Sequence, residues 1–208
     1  MRIQTKLEEQ LNAWTHGFGA LMGIAALVLL IVKADNLTPW SLFSVIVYGL
    51  SIVILFLAST FYHAVEGEKR KHYFRIVDHV SIYLLIAGTY TPVLLILLPE
   101  SLGWPLFWTV WGIAAFGVVL KLFFTGRFEV FSTLLYLVMG WLIVFDFSNV
   151  SDALGPTGIL WLFAGGLFYT IGIIFYAIQK IPYNHVIWHL FVLGGAICHF
   201  FMVYLHVI

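Results

Sequence analysis

Seven apolar runs, each close to the ~20 residues a helix needs to cross the hydrocarbon of a bilayer, account for most of this chain: residues 16–33, 40–63, 75–98, 104–123, 129–147, 158–178 and 185–207. Hydrocarbon offers no water to a bare N–H or C=O, so runs of this kind are expected to fold as helices that satisfy their own backbone. The predicted architecture is all-α, a bundle of seven transmembrane helices forming one integral membrane domain over residues 1–208. Composition agrees, with 62% of residues hydrophobic and only 10% charged, well outside the range of soluble domains. The connections are short and rich in turn formers: 35–39 with Asp35, Asn36 and Pro39, 99–103 with Pro99 and Gly103, 125–127 with Gly126, the stretch from Ser151 to Pro156, and 180–184 with Pro182 and Asn184. They leave no room for a soluble domain.

Basic and acidic residues balance at 10 each, so no net field points to nucleic acid or an acidic partner. Their placement carries the information. Cytoplasmic connections retain Lys and Arg, and Arg2, Lys6, Lys69, Arg70, Lys71, Arg75, Lys121, Arg127 and Lys180 fall on the N-terminal side of the bundle, with only Lys33 on the other. The expected orientation is N-terminus cytoplasmic and C-terminus outside. Met1 to Leu11 lead into the first run without a small-residue cleavage site, so no cleavable signal peptide is expected. The lone Cys198 excludes an intramolecular disulfide.

This topology brings distant polar residues to one depth. The second run ends inward at His63, with Ser59 one turn deeper on the same face; the third begins there with Asp78, and the seventh with His185 and His189, again one turn apart. Ionisable groups at such positions are costly unless they face the protein interior. Three neutral imidazoles plus one solvent oxygen make a catalytic zinc site with an open position. Asp78 reads either as a further ligand or, better, as the carboxylate that holds or deprotonates the zinc-bound water. Taken singly, each piece has a plainer reading: interfacial polarity for the histidines, pairing with Arg75 or Lys71 for Asp78, helix packing for Ser59. Their coincidence at the inner ends of three runs favours the metal site, because Lys and Arg alone set that topology.

Around these residues the chain resembles the hemolysin III family, the bacterial branch of the progestin and adiponectin receptor superfamily. The matching stretches are Ser59-Thr60-Phe61-Tyr62-His63, Asp78-His79-Val80-Ser81-Ile82-Tyr83, Gly88-Thr89-Tyr90-Thr91-Pro92 and His185-Val186-Ile187-Trp188-His189, preceded by Glu9-x-x-Asn12-x-x-x-His16-Gly17. The resemblance implies a multi-pass protein of the bacterial plasma membrane with Zn2+ held by His63, His185 and His189, Asp78 contacting the metal-bound water and Ser59 beside it. It also implies a ceramidase-like lipid hydrolase, since members of the superfamily are associated with ceramide amide hydrolysis; bacterial members were named for haemolysis and are linked to membrane lipid homeostasis.

The expected chemistry is attack of a zinc-activated water on an amide or ester carbonyl of a membrane lipid, with Asp78 taking the proton, Ser59 bonding the oxyanion and acyl chains in the bundle core. Two alternatives stand beside it: a non-enzymatic sensor or homeostasis protein with structural zinc, and a cytolytic protein. Glu9, Asn12 and His16 share a helix face and either line the mouth of the site or are interfacial. His79 is expected to pack without ligating, and His72 to belong to a basic loop. His199 and His206 lie too far along their helix to reach the same metal, and Asp146 is expected at the interface.

Overall fold

A computed structural model of the chain describes residues 4–34 and 37–208; Arg2 and the Asp35-Asn36 turn lie outside them. The helices are α1 (Lys6–Lys33), α2 (Ser41–Ala64), α3 (Glu68–Pro92), α4 (Gly103–Phe124), α5 (Glu129–Trp141), α6 (Phe147–Ala177) and α7 (Asn184–His206), and the described residues contain no strand. Among the described residues, six continuous helical segments are long and apolar enough to cross a membrane, one of them the 49-residue stretch Glu129–Ala177.

Local chemistry explains where the helices start and bend. Thr5 and Glu8 form a capping box, the Thr5 hydroxyl accepting from the Glu8 N–H and the Glu8 carboxylate from the Thr5 N–H, so α1 begins a full ten residues before the apolar run at residue 16. Pro92 lacks the N–H that α3 needs to continue regularly, and the chain widens into a π turn over Val93–Leu97. After Trp141 the helix tightens to a 3-10 turn, Leu142–Asp146. There the Tyr90 hydroxyl inserts itself into the backbone, accepting from Ile143 N–H and donating to the Gly140 carbonyl, each at 3.0 Å.

The connection expected from Ser151 to Pro156 is mostly helical. The chain departs from helix at Gly155 alone (φ 65, ψ 176), a left-handed backbone suited to glycine immediately before a proline. The chain folds back at this point: Trp141 bonds Thr170 at 3.3 Å and Phe147 meets Phe163 at 5.8 Å, pairs whose order reverses about Gly155. By contrast α1 and α7 run parallel, Thr15 approaching His189 near their starts and Lys33 lying over Tyr204 near their ends.

Side chains such as Trp14, Val32, Phe123 and Val130 are exposed on the outside of the bundle, as a lipid-facing surface requires. Asp146, expected at the interface, sits at an end of the bundle beside the turn before α4, with little of its side chain exposed. Its carboxylate accepts from Ser101 Oγ at 2.6 Å, Leu102 N–H at 3.1 Å and Asn149 Nδ2 at 2.7 Å, joining the turn before α4 to the start of α6. Small residues serve two purposes. Gly165 and Gly195 lie under the His199 and Tyr169 rings, where a Cβ would clash, whereas Gly140 and Gly166 face open space.

Candidate metal centre

The ends of α1, α2 and α7 converge because the start of α7 is tethered twice. Glu8 on the first turn of α1 accepts from the Tyr183 N–H at 3.2 Å, and Asn184 Nδ2 donates to the Phe175 carbonyl of α6 at 3.0 Å. From that anchored start, His185 and His189 project one turn apart toward α2. Their rings and that of His63 form a triangle with centroids 4.7 to 5.1 Å apart. One ligand nitrogen from each lies within 4.8 Å of the others, close enough to hold a metal ion. Three nitrogens bonded at about 2.1 Å to one tetrahedral ion lie roughly 3.4 Å apart, so closure on an ion requires the side chains to draw together by up to about an ångström.

The donor set fits such an ion. His63 Nδ1 lies 2.7 Å from Glu9 Oε2, and since a carboxylate only accepts, Nδ1 carries the proton and Nε2 a lone pair. That Nε2 is buried without a hydrogen-bond partner. His189 Nδ1 faces the Asn12 carbonyl at 3.2 Å, which fixes the same tautomer there. A carboxylate or carbonyl behind an imidazole is the usual support of a metal-ligating histidine. Glu9 is itself held by Lys71 Nζ at 2.7 Å. Lys71 therefore pairs with Glu9 and not with Asp78.

Ser59 and Asp78 stand beside the triangle and outside the group of three. Ser59 is buried on α2 one turn before His63, and its hydroxyl is a hydrogen-bonding neighbour of the Asp78 carboxyl group, which also lies near His63 and Arg75. Both residues line a cavity of about 140 Å³ together with His185 and His189. The cavity runs up the bundle between α3, α5, α6 and α7, past Leu85, Leu137, Ile173 and Val192 to Tyr169 and His199. A smaller void of about 50 Å³ shares Tyr90, Gly140, Trp141, Gly166 and His199 with it. His199 thus lines the same space as the triangle without belonging to it.

Several residues of this region escape a reading of the sequence. Lys121 is fully buried and bonds Glu129 Oε2 at 2.8 Å, while Arg75 reaches Glu129 Oε1 at 3.2 Å. His79, buried on α3, lies 3.7 Å from the same carboxylate. Glu129 begins α5 directly after a loop, and only tertiary structure brings α3 and α4 to it. The helix-face spacing of Glu9, Asn12 and His16 was the one available signal for the support behind the triangle: Glu9 backs His63, Asn12 supplies a carbonyl to His189, and His16 stacks on His189 at 3.6 Å.

Comparison with known proteins agrees over nearly the whole chain. Residues 4–200 match the family model described as Haemolysin-III related. The chain is 47% identical over 197 residues to the Hemolysin-3 homolog of Bacillus subtilis (strain 168), covering 94% of this chain and 92% of that protein. It is 46% identical over 202 residues to Hemolysin-3 of Bacillus cereus, covering 97% and 92%. A more distant relative is the Monocyte to macrophage differentiation factor of Homo sapiens, 30% identical over 209 residues and covering 96% and 84%.

Proposed function

The chain belongs to the Haemolysin-III related family, and on that premise we propose that it is a seven-span protein of the cell membrane that binds zinc through His63, His185 and His189 and hydrolyses an amide or ester bond of a membrane lipid. One observation carries this reading: a ligand nitrogen from each of His63, His185 and His189 lies within 4.8 Å of the others beside a long apolar cavity, and His63 and His189 are each backed by a bonded Nδ1. The direction of the helices supports seven crossings. Helices α1 and α7 run parallel, which needs an even number of crossings after the first, and the reversal at Gly155 divides the 49-residue stretch in two. The basic residues gather at the end where α1 begins, which favours a cytoplasmic N-terminus.

Zinc bound here would act as a Lewis acid toward the carbonyl and lower the pKa of water to about 7. Glu9 and the Asn12 carbonyl keep His63 and His189 in the tautomer that presents Nε2. Asp78, beside the triangle but outside it, takes the proton released in the attack. Once Asp78 holds that proton, the neighbouring Ser59 hydroxyl is free to donate to the oxygen on which charge develops, oriented by its place one turn before His63. The apolar walls contributed by Leu85, Leu137, Ile173 and Val192 take the acyl chain and exclude water from it.

The test pairs two variants with wild type in zinc content and in turnover of lipid amides and esters. Asp78→Ala is expected to keep zinc and lose turnover by at least ~100-fold, the scale of general acid–base catalysis, and His63→Ala to lose both. Equal turnover in all three proteins contradicts the reading. A second reading, zinc as a structural clamp in a non-enzymatic membrane protein, is favoured by one observation: α2 and α7 do not pack along their lengths, so an ion would be their principal link. Zinc retention with a large loss of thermal stability on chelation, and no lipid turnover, selects the clamp.

A further inference from the structure

One imidazole beside the triangle is packed between rings with neither nitrogen in a well-formed hydrogen bond. This is His16 on α1, 3% exposed. Its ring lies parallel to that of His189, with centroids 3.6 Å apart and planes 8° apart, and the edge of Phe56 closes its other side at 5.0 Å. Gly19 makes this slot possible: a Cβ there would lie 2.7 Å from the Phe56 ring. His16 is held rigidly by packing alone, and it lines the cavity together with Ser59 and Asp78.

Buried polar atoms in folded proteins are nearly always bonded, and each exception calls for a cause. Stacking is not a sufficient one, since a phenylalanine would stack on His189 and Phe56 equally well without burying two polar nitrogens. Ligation is not the cause either, because the metal-competent group consists of His63, His185 and His189 among the described residues. A neutral imidazole carries one N–H donor and one acceptor nitrogen, and in an apolar bundle an ionisable group without a well-formed hydrogen bond marks a functional position.

We infer that His16 is a further substrate-contacting residue, one of its ring nitrogens hydrogen-bonding an acyl oxygen of the lipid whose carbonyl is presented to the His63–His185–His189 triangle. This rests on the lipid-hydrolase reading and adds to it a second donor, supplied by α1, for the oxygen already assigned to Ser59. Imidazole side chains serve in such a role where oxyanions form.

The experiment measures binding of radiolabelled palmitate, since a carboxylate is the acyl product that amide and ester hydrolysis share. Zinc-loaded, detergent-purified full-length protein is compared as wild type, His16→Phe, His16→Gln and His185→Ala/His189→Ala, with zinc content and thermal midpoint recorded for each. His16→Phe is expected to keep its zinc and its midpoint but to bind palmitate about tenfold more weakly, the scale of one lost hydrogen bond, and His16→Gln to recover most of the affinity. Wild-type palmitate affinity in His16→Phe overturns the inference and leaves the hydrolase reading standing. Loss of zinc or of thermal stability in His16→Phe also overturns it, making the ring a prop for His189. Wild type binding palmitate no better than the double-alanine protein defeats the lipid reading itself, and the inference with it.

Discussion

Two clusters of buried polar groups in the bundle are built in opposite ways. At the end where α4 begins, both oxygens of Asp146 are taken up by Ser101, Leu102 and Asn149, a closed network that fastens one turn to another. At the end where α1 and α7 begin, His63 keeps a bare Nε2 and His16 two bare nitrogens, although Glu9, Lys71, Glu8 and the Asn12 backbone carbonyl make hydrogen bonds around them. The difference separates polarity that holds a fold from polarity kept ready for a ligand. Saturated networks stabilise, and unsaturated groups inside a well-bonded frame mark the site.

That distinction can be broken by substitution. The largest effect on stability is expected at the closed node around Glu129. Glu129→Ala leaves the fully buried Lys121 without its carboxylate and should cost about 3 kcal/mol or more, read as a fall in thermal midpoint in detergent, with zinc content unchanged; loss of zinc at full stability would move Glu129 into the site. Next comes Glu9→Ala, which removes the carboxylate behind His63 and should weaken zinc binding by about 10–100-fold in a chelator competition. Unaltered zinc affinity would show that this carboxylate does not support a ligand. Asp146→Ala should cost about 1.5 kcal/mol by removing the charged acceptor of three hydrogen bonds while zinc affinity stays at the wild-type value; a drop in that affinity would erase the contrast between the two clusters. The smallest effect is expected for Thr5→Ala, which removes the cap of α1 for about 1 kcal/mol, seen as faster amide exchange in the first turn of that helix.

The apolar runs and the spacing of His63, His185 and His189 were readable in the sequence because both depend on short-range period and on the count of Lys and Arg between runs. Three features were not. The early start of α1 depends on the Thr5–Glu8 capping box, a local signal overshadowed by the charges around it. Ser151 to Pro156 has the composition of a loop, yet one left-handed glycine suffices for the reversal and the preceding residues stay helical. The bonds of Glu9 to His63 and of Lys121 to Glu129 draw on different helices, and no spacing along the chain encodes which charges meet. The partners of Asp146 divide in the same way: Asn149 lies three residues on and is local, whereas Ser101 and Leu102 come from the turn before α4.

The function of the cluster turns on whether the three imidazoles hold a metal. Mass-spectrometric metal content of detergent-purified wild type, measured in parallel with His185→Ala/His189→Ala, is the most direct test. The prediction is about one zinc per chain in wild type, as a site with three protein ligands binds, and none in the double variant. A folded wild type without metal, or equal metal in both proteins, would contradict it.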